Sequence, residues 1–397
     1  MSGLLLTGIG HLTTHDGDPI TDAVVAIDET TITYAGSQSD SPAQEGRELV
    51  DCEGRAVIPG FVDAHTHLVF AGDRSDEFAR RLSGESYADI AASGGGILST
   101  VSATRSASED QLFDLAAARV WNMIRSGTTT VEIKSGYGLD LTTELRLLRV
   151  ARRIGEELPV TVRTTFLGAH SVPVEFRSDR DGYIDLVTDE MIPAAAVLAD
   201  YCDVFVEQGA FSVEEARRIL EAAKVKGLQG RVHAEQLSHG GGAALAAELG
   251  AASADHLDHA TEEDASALAD AGVTTVLVPG ASYSLRSSQA PGLMLWDAGC
   301  IVALATDCNP GTSYLESMGL VISLAVVEMG LSANQALWAA TRGGALSLGL
   351  PDRGLLARGQ MADLAIIDAP TPTHIPYRPA TNLAWATIQG GEWAHRS

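Results

Sequence analysis

Two histidines one residue apart, in Asp63-Ala64-His65-Thr66-His67, are the side chains of this sequence best spaced to do chemistry. In a strand the side-chain period is two. His65 and His67 would then share a face about 6.6 Å apart along the chain, and both imidazoles could converge on one metal ion. A bare His-x-His has a plainer alternative, two polar residues on a half-exposed strand. The rest of the chain favours the metal, because chemically useful groups recur where apolar, strand-like runs end. They are His67, then Lys134 with Tyr137 just beyond, His170, Glu207 and Gln208, His233 with Gln236, His256 with His259, and Asp307. Two imidazoles from the first run, one from the fifth and a carboxylate from the eighth make a mixed nitrogen and oxygen set that suits Zn²⁺ or a similar first-row ion.

Groups so distant in sequence need a scaffold that gathers strand ends. Eight apolar runs, at 61–67, 128–134, 160–170, 202–208, 229–235, 252–259, 273–279 and 301–307, alternate with helical segments, the pattern of a parallel α/β architecture. Ser212 with Glu215 forms a capping box for a helix that stops at Gly227. Thr261 with Asp264 opens another that ends at Gly272, and 334–348 is an amphipathic helix running up to Gly349. Eight such units fit a (β/α)8 barrel, usually about 250 residues plus insertions, whose strand C-termini form the face that carries the active site. The long stretch from Val69 to Gly127, with Gly94-Gly95-Gly96 inside it, reads as a mobile excursion plus the first barrel helix. Both chain ends are strand-rich instead, at 4–7, 23–27, 32–35 and 55–58, then at 363–367 and 383–389 before a Gly390-Gly391 hairpin turn. The expected fold class is therefore α/β. A distorted (β/α)8 TIM barrel over 61–350 carries a small β-sandwich-like domain composed of 1–60 and 351–397.

Composition narrows the partners. The chain has 397 residues, 45% of them hydrophobic, enough for a large core. Its 52 acidic against 27 basic residues give a net charge of −25, which repels phosphate backbones and anionic lipid, so neither nucleic acid nor membrane is expected. Residues 1–10 lack the make-up of a signal peptide, and no apolar run reaches the roughly 18 residues of a membrane span. Cys52, Cys202, Cys300 and Cys308 are scattered without CxxC spacing, which points to reduced thiols and a cytoplasmic protein. The triple glycine has no P-loop or dinucleotide-binding context, so nucleotide binding is not expected.

The motifs resemble the amidohydrolase superfamily. The likeness is carried by Pro59-Gly60-Phe61-Val62-Asp63-Ala64-His65-Thr66-His67, by single histidines at strands five and six, by Thr306-Asp307, and by the return segment 353–364. Six loop motifs in order narrow it to the imidazolonepropionase family. They are 67–74 (HLVFAGDR), 134–140 (KSGYGLD), 166–170 (FLGAH), 233–236 (HAEQ), 253–259 (SADHLDH) and 306–312 (TDCNPGT). The resemblance implies a cytoplasmic, homodimeric enzyme of histidine degradation with a small-molecule substrate. It hydrolyses the cyclic amide of 4-imidazolone-5-propanoate to N-formimidoyl-L-glutamate. The neighbouring alternative is another cyclic amide or amidine hydrolase of the superfamily, of the cytosine- or guanine-deaminase kind.

By the same resemblance His65, His67, His233 and Asp307 ligate one divalent or trivalent metal ion per subunit, zinc or iron. Binuclear relatives place a carboxylated lysine at the end of strand four, where this chain has Glu207-Gln208. Asp307 and His256 are the catalytic candidates, the first to take and return a proton, the second to steady the developing oxyanion or shuttle a proton, with the general-base role falling to either. The plainer reading of His256 is a neutral histidine held by Asp255 or Asp258, and His259 reads as structural. Some family members carry glutamate where Gln236 stands. An amide is no base, so Gln236 is expected to bind substrate by hydrogen bonds. Arg74 offers a planar fork to the propanoate, and Tyr137 and His170 read as ring or carboxylate contacts. Asn309, Gly311 and Thr312 are expected to bind substrate, the glycine letting backbone N–H groups approach the ligand and Thr312 keeping the hydroxyl that relatives often carry as serine. Lys134 is either a second anion contact or part of a structural ion pair, and Cys308 reads as packing.

Overall fold

Residues 3–85 and 95–397 are described by the computed structural model; Gly94 of the triple glycine lies outside them. The N-terminal segment gives β1 (Leu4–Ile9), β2 (His11–Leu12), β3 (Ala23–Asp28), β4 (Thr31–Ser37), β5 (Glu48–Asp51) and β6 (Ala56–Pro59). The C-terminal segment gives β15 (Leu364–Ile367), β16 (Ala384–Gln389) and β17 (Glu392–Arg396). One sheet runs β4-β3-β1-β5; the other, β17-β16-β15-β6-β2, mixes both ends of the chain. The splice is the antiparallel pair of β15 with β6, from Leu364 opposite Pro59 to Ile367 opposite Ala56. Inward residues of both sheets, among them Leu6, Val25, Ile27, Val57, Leu364 and Ile388, share one core, the arrangement of a sandwich. Gly390-Gly391 makes the expected hairpin between β16 and β17. Strands β2 and β5 were not anticipated. In β5 only Val50 is buried between charged ends, so no apolar alternation marks it.

The barrel strands are β7 (Phe61–Asp63), β8 (Thr128–Lys134), β9 (Thr161–Ala169), β10 (Tyr201–Phe205), β11 (Gln229–Ala234), β12 (Ser253–His256), β13 (Thr274–Leu277) and β14 (Val302–Leu304). They form one eight-stranded sheet in sequence order, paired in parallel throughout. No ladder joins β14 to β7. The gap is closed by side chain and loop: Thr306 donates its N–H (3.0 Å) and hydroxyl (2.6 Å) to the buried Asp63 carboxylate. The anticipated capping box of Ser212 with Glu215 forms ahead of the helix Val213–Val225, and the helix expected to open at Thr261 and Asp264, Glu262–Ala271, also begins with one. The helix expected over 334–348 is instead a helix at Ala333–Trp338, a π-turn at Ala339–Gly343 and a last turn at Gly344–Ser347. It comes so close to the barrel floor that a Cβ on Gly343 would stand 2.0 Å from Val302 O. Helices Ser75–Leu82, Ile97–Ser106 and Glu109–Arg125 fall in the excursion after β7. Among the described residues, no helix is long and apolar enough to cross a membrane.

Candidate active site

The polar side chains leave the barrel just past its ladders. β7 ends at Asp63, so His65 and His67 do not lie in the strand expected to align them. Residues beyond it are held extended by single bonds to both neighbours instead. Lys134 N–H donates to Thr66 O (2.9 Å), His67 N–H to Cys308 O (3.1 Å) and Asp307 N–H to His65 O (3.0 Å). The chain turns out of the sheet through left-handed backbone at Glu235 (φ 54°), His256 (φ 76°), Leu257 (φ 64°) and Asp307 (φ 53°). Non-glycine residues pay for that conformation, and it clusters where side chains must be aimed.

His65, His67 and His233 converge through Nε2, with His67 lying 3.2 Å from each of the other two. Asp307 Oδ1 stands 3.6 Å from His65 Nε2 and 3.5 Å from His67 Nε2. Ligands about 2.0–2.1 Å from a tetrahedral ion are roughly 3.3 Å apart; His65, His67 and His233 form one candidate ligand group, and Asp307 stands at ligand spacing from two of them. Their other atoms fit as well. Nδ1 of His65 donates to Asp255 Oδ2 (2.6 Å) and Nδ1 of His233 to Asp203 Oδ1 (3.0 Å), which leaves both Nε2 lone pairs directed into the shared space. Burial first, then nearby Lys134 and histidine charges, holds His65 and His67 well below the usual histidine range, the neutral form that binds metal. The cluster fits a single divalent ion. Glu207 is no bridging ligand, since it accepts from Gln208 N–H (2.9 Å), Leu237 N–H (2.8 Å) and Ser238 N–H (3.2 Å) and so pins the loop after β11.

His256 lies beside this cluster, its ring 5.3 Å from that of His65 and 5.2 Å from that of His233. Neither aspartate offered as its holder does so. Asp255 serves His65 and Ser253, Asp258 takes the Ser282 hydroxyl (2.6 Å), and His256 Nδ1 is buried without a partner among the described residues. His259 is exposed, and it is its backbone N–H that binds, to Glu235 O (2.8 Å). His170 stacks on His67 at 5.1 Å with Nδ1 3.0 Å from Gly136 O, and burial pushes it down to about 3. Buried Tyr137 completes that wall, 5.9 Å from His67 and 5.4 Å from His170. Gln236 is buried two residues past β11.

One expectation needs correction. Gly311 N–H and Thr312 N–H both donate to Asn309 Oδ1 (2.8 Å each), and Asn309 Nδ2 donates to Asp307 O (2.7 Å). These amides therefore shape the loop behind Asp307 and do not reach toward a ligand. What requires glycine is Arg74, whose Nη1 would stand 2.4 Å from a Cβ at Gly311. Arg74 Nε pairs with Glu77 (2.9 Å), itself held by Ser99 Oγ (3.0 Å). Of the two readings of Lys134 the structural ion pair holds: it is 1% exposed and lies within 3.5 Å of Glu132, Asp203 and Asp255.

Asp203 and Arg231 were passed over in the sequence, and Asp255 was weighed only as a holder of His256. Their signal was a charged residue inside a parallel strand, where both faces are ordinarily apolar. Glu132-x-Lys134 and Arg231-x-His233 repeat at the strand period, so their side chains share the inner face. Cys308 is buried packing, as expected.

A family model described as "Amidohydrolase family" matches residues 56–390. The chain is 48% identical to an imidazolonepropionase of Myxococcus xanthus, over 95% of this chain and 91% of that one. It is 50% identical to an imidazolonepropionase of Methylobacterium nodulans, over 94% of each. Among solved structures, 5-methylcytosine deaminase from Klebsiella pneumoniae superposes with a TM-score of 0.77 at 17% identity, covering 99% of this chain and 98% of that one, a likeness of fold.

Proposed function

The chain belongs to the amidohydrolase family and, within it, to the imidazolonepropionases, and from that premise we propose that it hydrolyses the cyclic amide of 4-imidazolone-5-propanoate to N-formimidoyl-L-glutamate. The observation that carries the reading on this chain is the convergence of His65, His67 and His233 through Nε2, with Asp307 3.5–3.6 Å from the first two. His65, His67, His233 and Asp307 would hold a metal ion, whose chemistry when bound would be to polarise the ring carbonyl and lower the pKa of the attacking water.

The residues around it do the rest. Asp307 takes the proton of the water as it adds to the carbonyl carbon, then returns it to the ring nitrogen as the C–N bond breaks. Burial before all else raises the carboxyl of the metal-free chain above the usual carboxylate range, and a bound cation would favour the ionised form that accepts a proton. His256, kept neutral chiefly by burial, donates a ring N–H to the oxyanion. Arg74 pairs with the propanoate, Tyr137 and His170 flank the ring, and the Gln236 amide hydrogen-bonds the substrate. Asn309, Gly311 and Thr312 act one step back, by shaping the loop against which Arg74 rests.

The ion is zinc or iron, a choice that metal analysis of purified protein makes directly. The reading includes a homodimer at work in the cytoplasm, and the charge of −25 supports an enzyme that binds no nucleic acid. The test is to incubate metal-replete protein with freshly made 4-imidazolone-5-propanoate, following loss of the ring's ultraviolet absorbance and appearance of N-formimidoyl-L-glutamate. Absence of turnover with the ion bound would overturn it.

A further inference from the structure

Only three lysines occur in the chain, against 24 arginines; Lys224 and Lys226 are exposed, while Lys134 is buried at the end of β8. Its ammonium sits 2.8 Å from Asp203 Oδ2, 3.0 Å from Glu132 Oε1 and 3.5 Å from Asp255 Oδ2. Asp203 and Asp255 are the carboxylates that hold Nδ1 of His233 and His65. We propose that Lys134 is a positioning residue, a single cation that clamps Asp203 and Asp255 so that His65 and His233 present Nε2 to the ion. The inference rests on the ligand set proposed above and assigns a role to a residue outside it.

Geometry favours a shared clamp over simple charge balance. Oxygens of Asp203 and Asp255 come within 4.8 Å of one another and of His65, so two buried carboxylates face each other across one histidine. Like charges that close repel strongly in a dry interior unless a cation lies between them. Arg231 is also near, 3.5 Å from Asp255 Oδ2, but its guanidinium is committed to Ala64 O (3.0 Å) and to Ser347 O and Oγ (3.2 Å each). A compact ammonium with three donors can serve several carboxylates from one point, whereas a planar guanidinium fork matches one at a time. Burial alone would pull Lys134 down; Asp203 and Glu132 outweigh it and hold the ammonium charged. Through the two aspartates one side chain thus reaches ligands on β7's extension and on β11.

The experiment measures Zn²⁺ affinity by competition with a chromophoric chelator, together with histidine tautomers from ¹⁵N spectra of the metal-free protein. The proteins are wild type, Lys134→Met, Glu132→Gln and the charge-compensated pair Lys134→Met/Glu132→Gln. Partners behind metal ligands are worth about 10- to 100-fold in affinity, and that loss is expected for both proteins lacking Lys134. Their His65 and His233 should also shift from pure Nδ1–H to mixed tautomers. Glu132→Gln removes a buried ion partner but leaves the clamp, so its affinity should stay within about threefold of wild type. Wild-type affinity and tautomers in the double variant would overturn the proposal. So would a double variant that fails to fold while Glu132→Gln folds, since Lys134 would then be a folding residue. A wild type that takes up no Zn²⁺ at all would instead overturn the ligand set.

Discussion

A methyl group added at Gly311 tests where the substrate's carboxylate goes. The Cβ of Gly311→Ala would meet Arg74 Nη1 at 2.4 Å and Cζ at 3.1 Å, against ordinary contacts of roughly 3.5 Å. The guanidinium must therefore retreat by about 1 Å. It is a flexible side-chain end and Gly311 has no left-handed φ, so the backbone accepts alanine and stability should fall by less than about 1 kcal/mol. An N–H···O bond spans about 2.7–3.2 Å, so a shift of that size breaks one. A charge-assisted bond is worth about 1.5–3 kcal/mol, or roughly 10- to 150-fold in kcat/KM. Steady-state kinetics on the propanoate substrate should show that loss mostly as a higher KM. An imidazolone without the propanoate arm, in the same assay, should be turned over as by wild type. Arg74→Met should reproduce the loss, and adding Gly311→Ala to it should cost little more. Equal losses on both substrates, or none on either, would refute the pairing of Arg74 with the propanoate.

Other consequences concern the ion, the proton and the buried aspartate beyond it. Asp307→Asn should lower kcat by about 10²- to 10⁴-fold in single-turnover and steady-state assays alike, because the amide neither takes up nor returns a proton. Chelation should abolish turnover, and Zn²⁺ or Fe²⁺ should restore it. At a thousandfold excess over the dissociation constant the ion should also add about 4 kcal/mol to unfolding stability. Burial raises the Asp258 carboxyl to about 7, so between pH 4 and 7 the folded chain keeps a proton that the unfolded chain gives up. Stability from this group is therefore lost as pH rises, about 2 kcal/mol between pH 5.5 and 8.5. Asp258→Asn, with the uncharged shape at every pH, should flatten that part of the urea-unfolding profile; an unchanged slope would refute the assignment.

The barrel strands were legible because they are buried on both faces and so stand out as apolar runs; β8 spans the expected 128–134 without a residue's difference. Strand ends were less so. Burial continues through 64–71, yet β7 stops at Asp63, because its neighbour past β14 is a left-handed turn at Asp307 and not another strand. The edge strand β5 was hidden for the opposite reason, since only one of its side chains is buried.

Residue types and their place at strand ends already determined which groups could hold a metal, because imidazole and carboxylate carry that chemistry wherever the chain puts them. Arg74 likewise could be singled out by its place in a family-like loop. Only the folded chain decided what those groups bind in turn. Asn309 turned out to cap its own loop, Gly311 to make room for an arginine, and Lys134 to lie under three carboxylates. Such choices depend on contacts between residues as far apart as Lys134 and Asp255, or Arg74 and Gly311. A one-dimensional pattern reports the period of each element and the chemistry of each side chain, whereas pairings across the barrel are set by strand order and register.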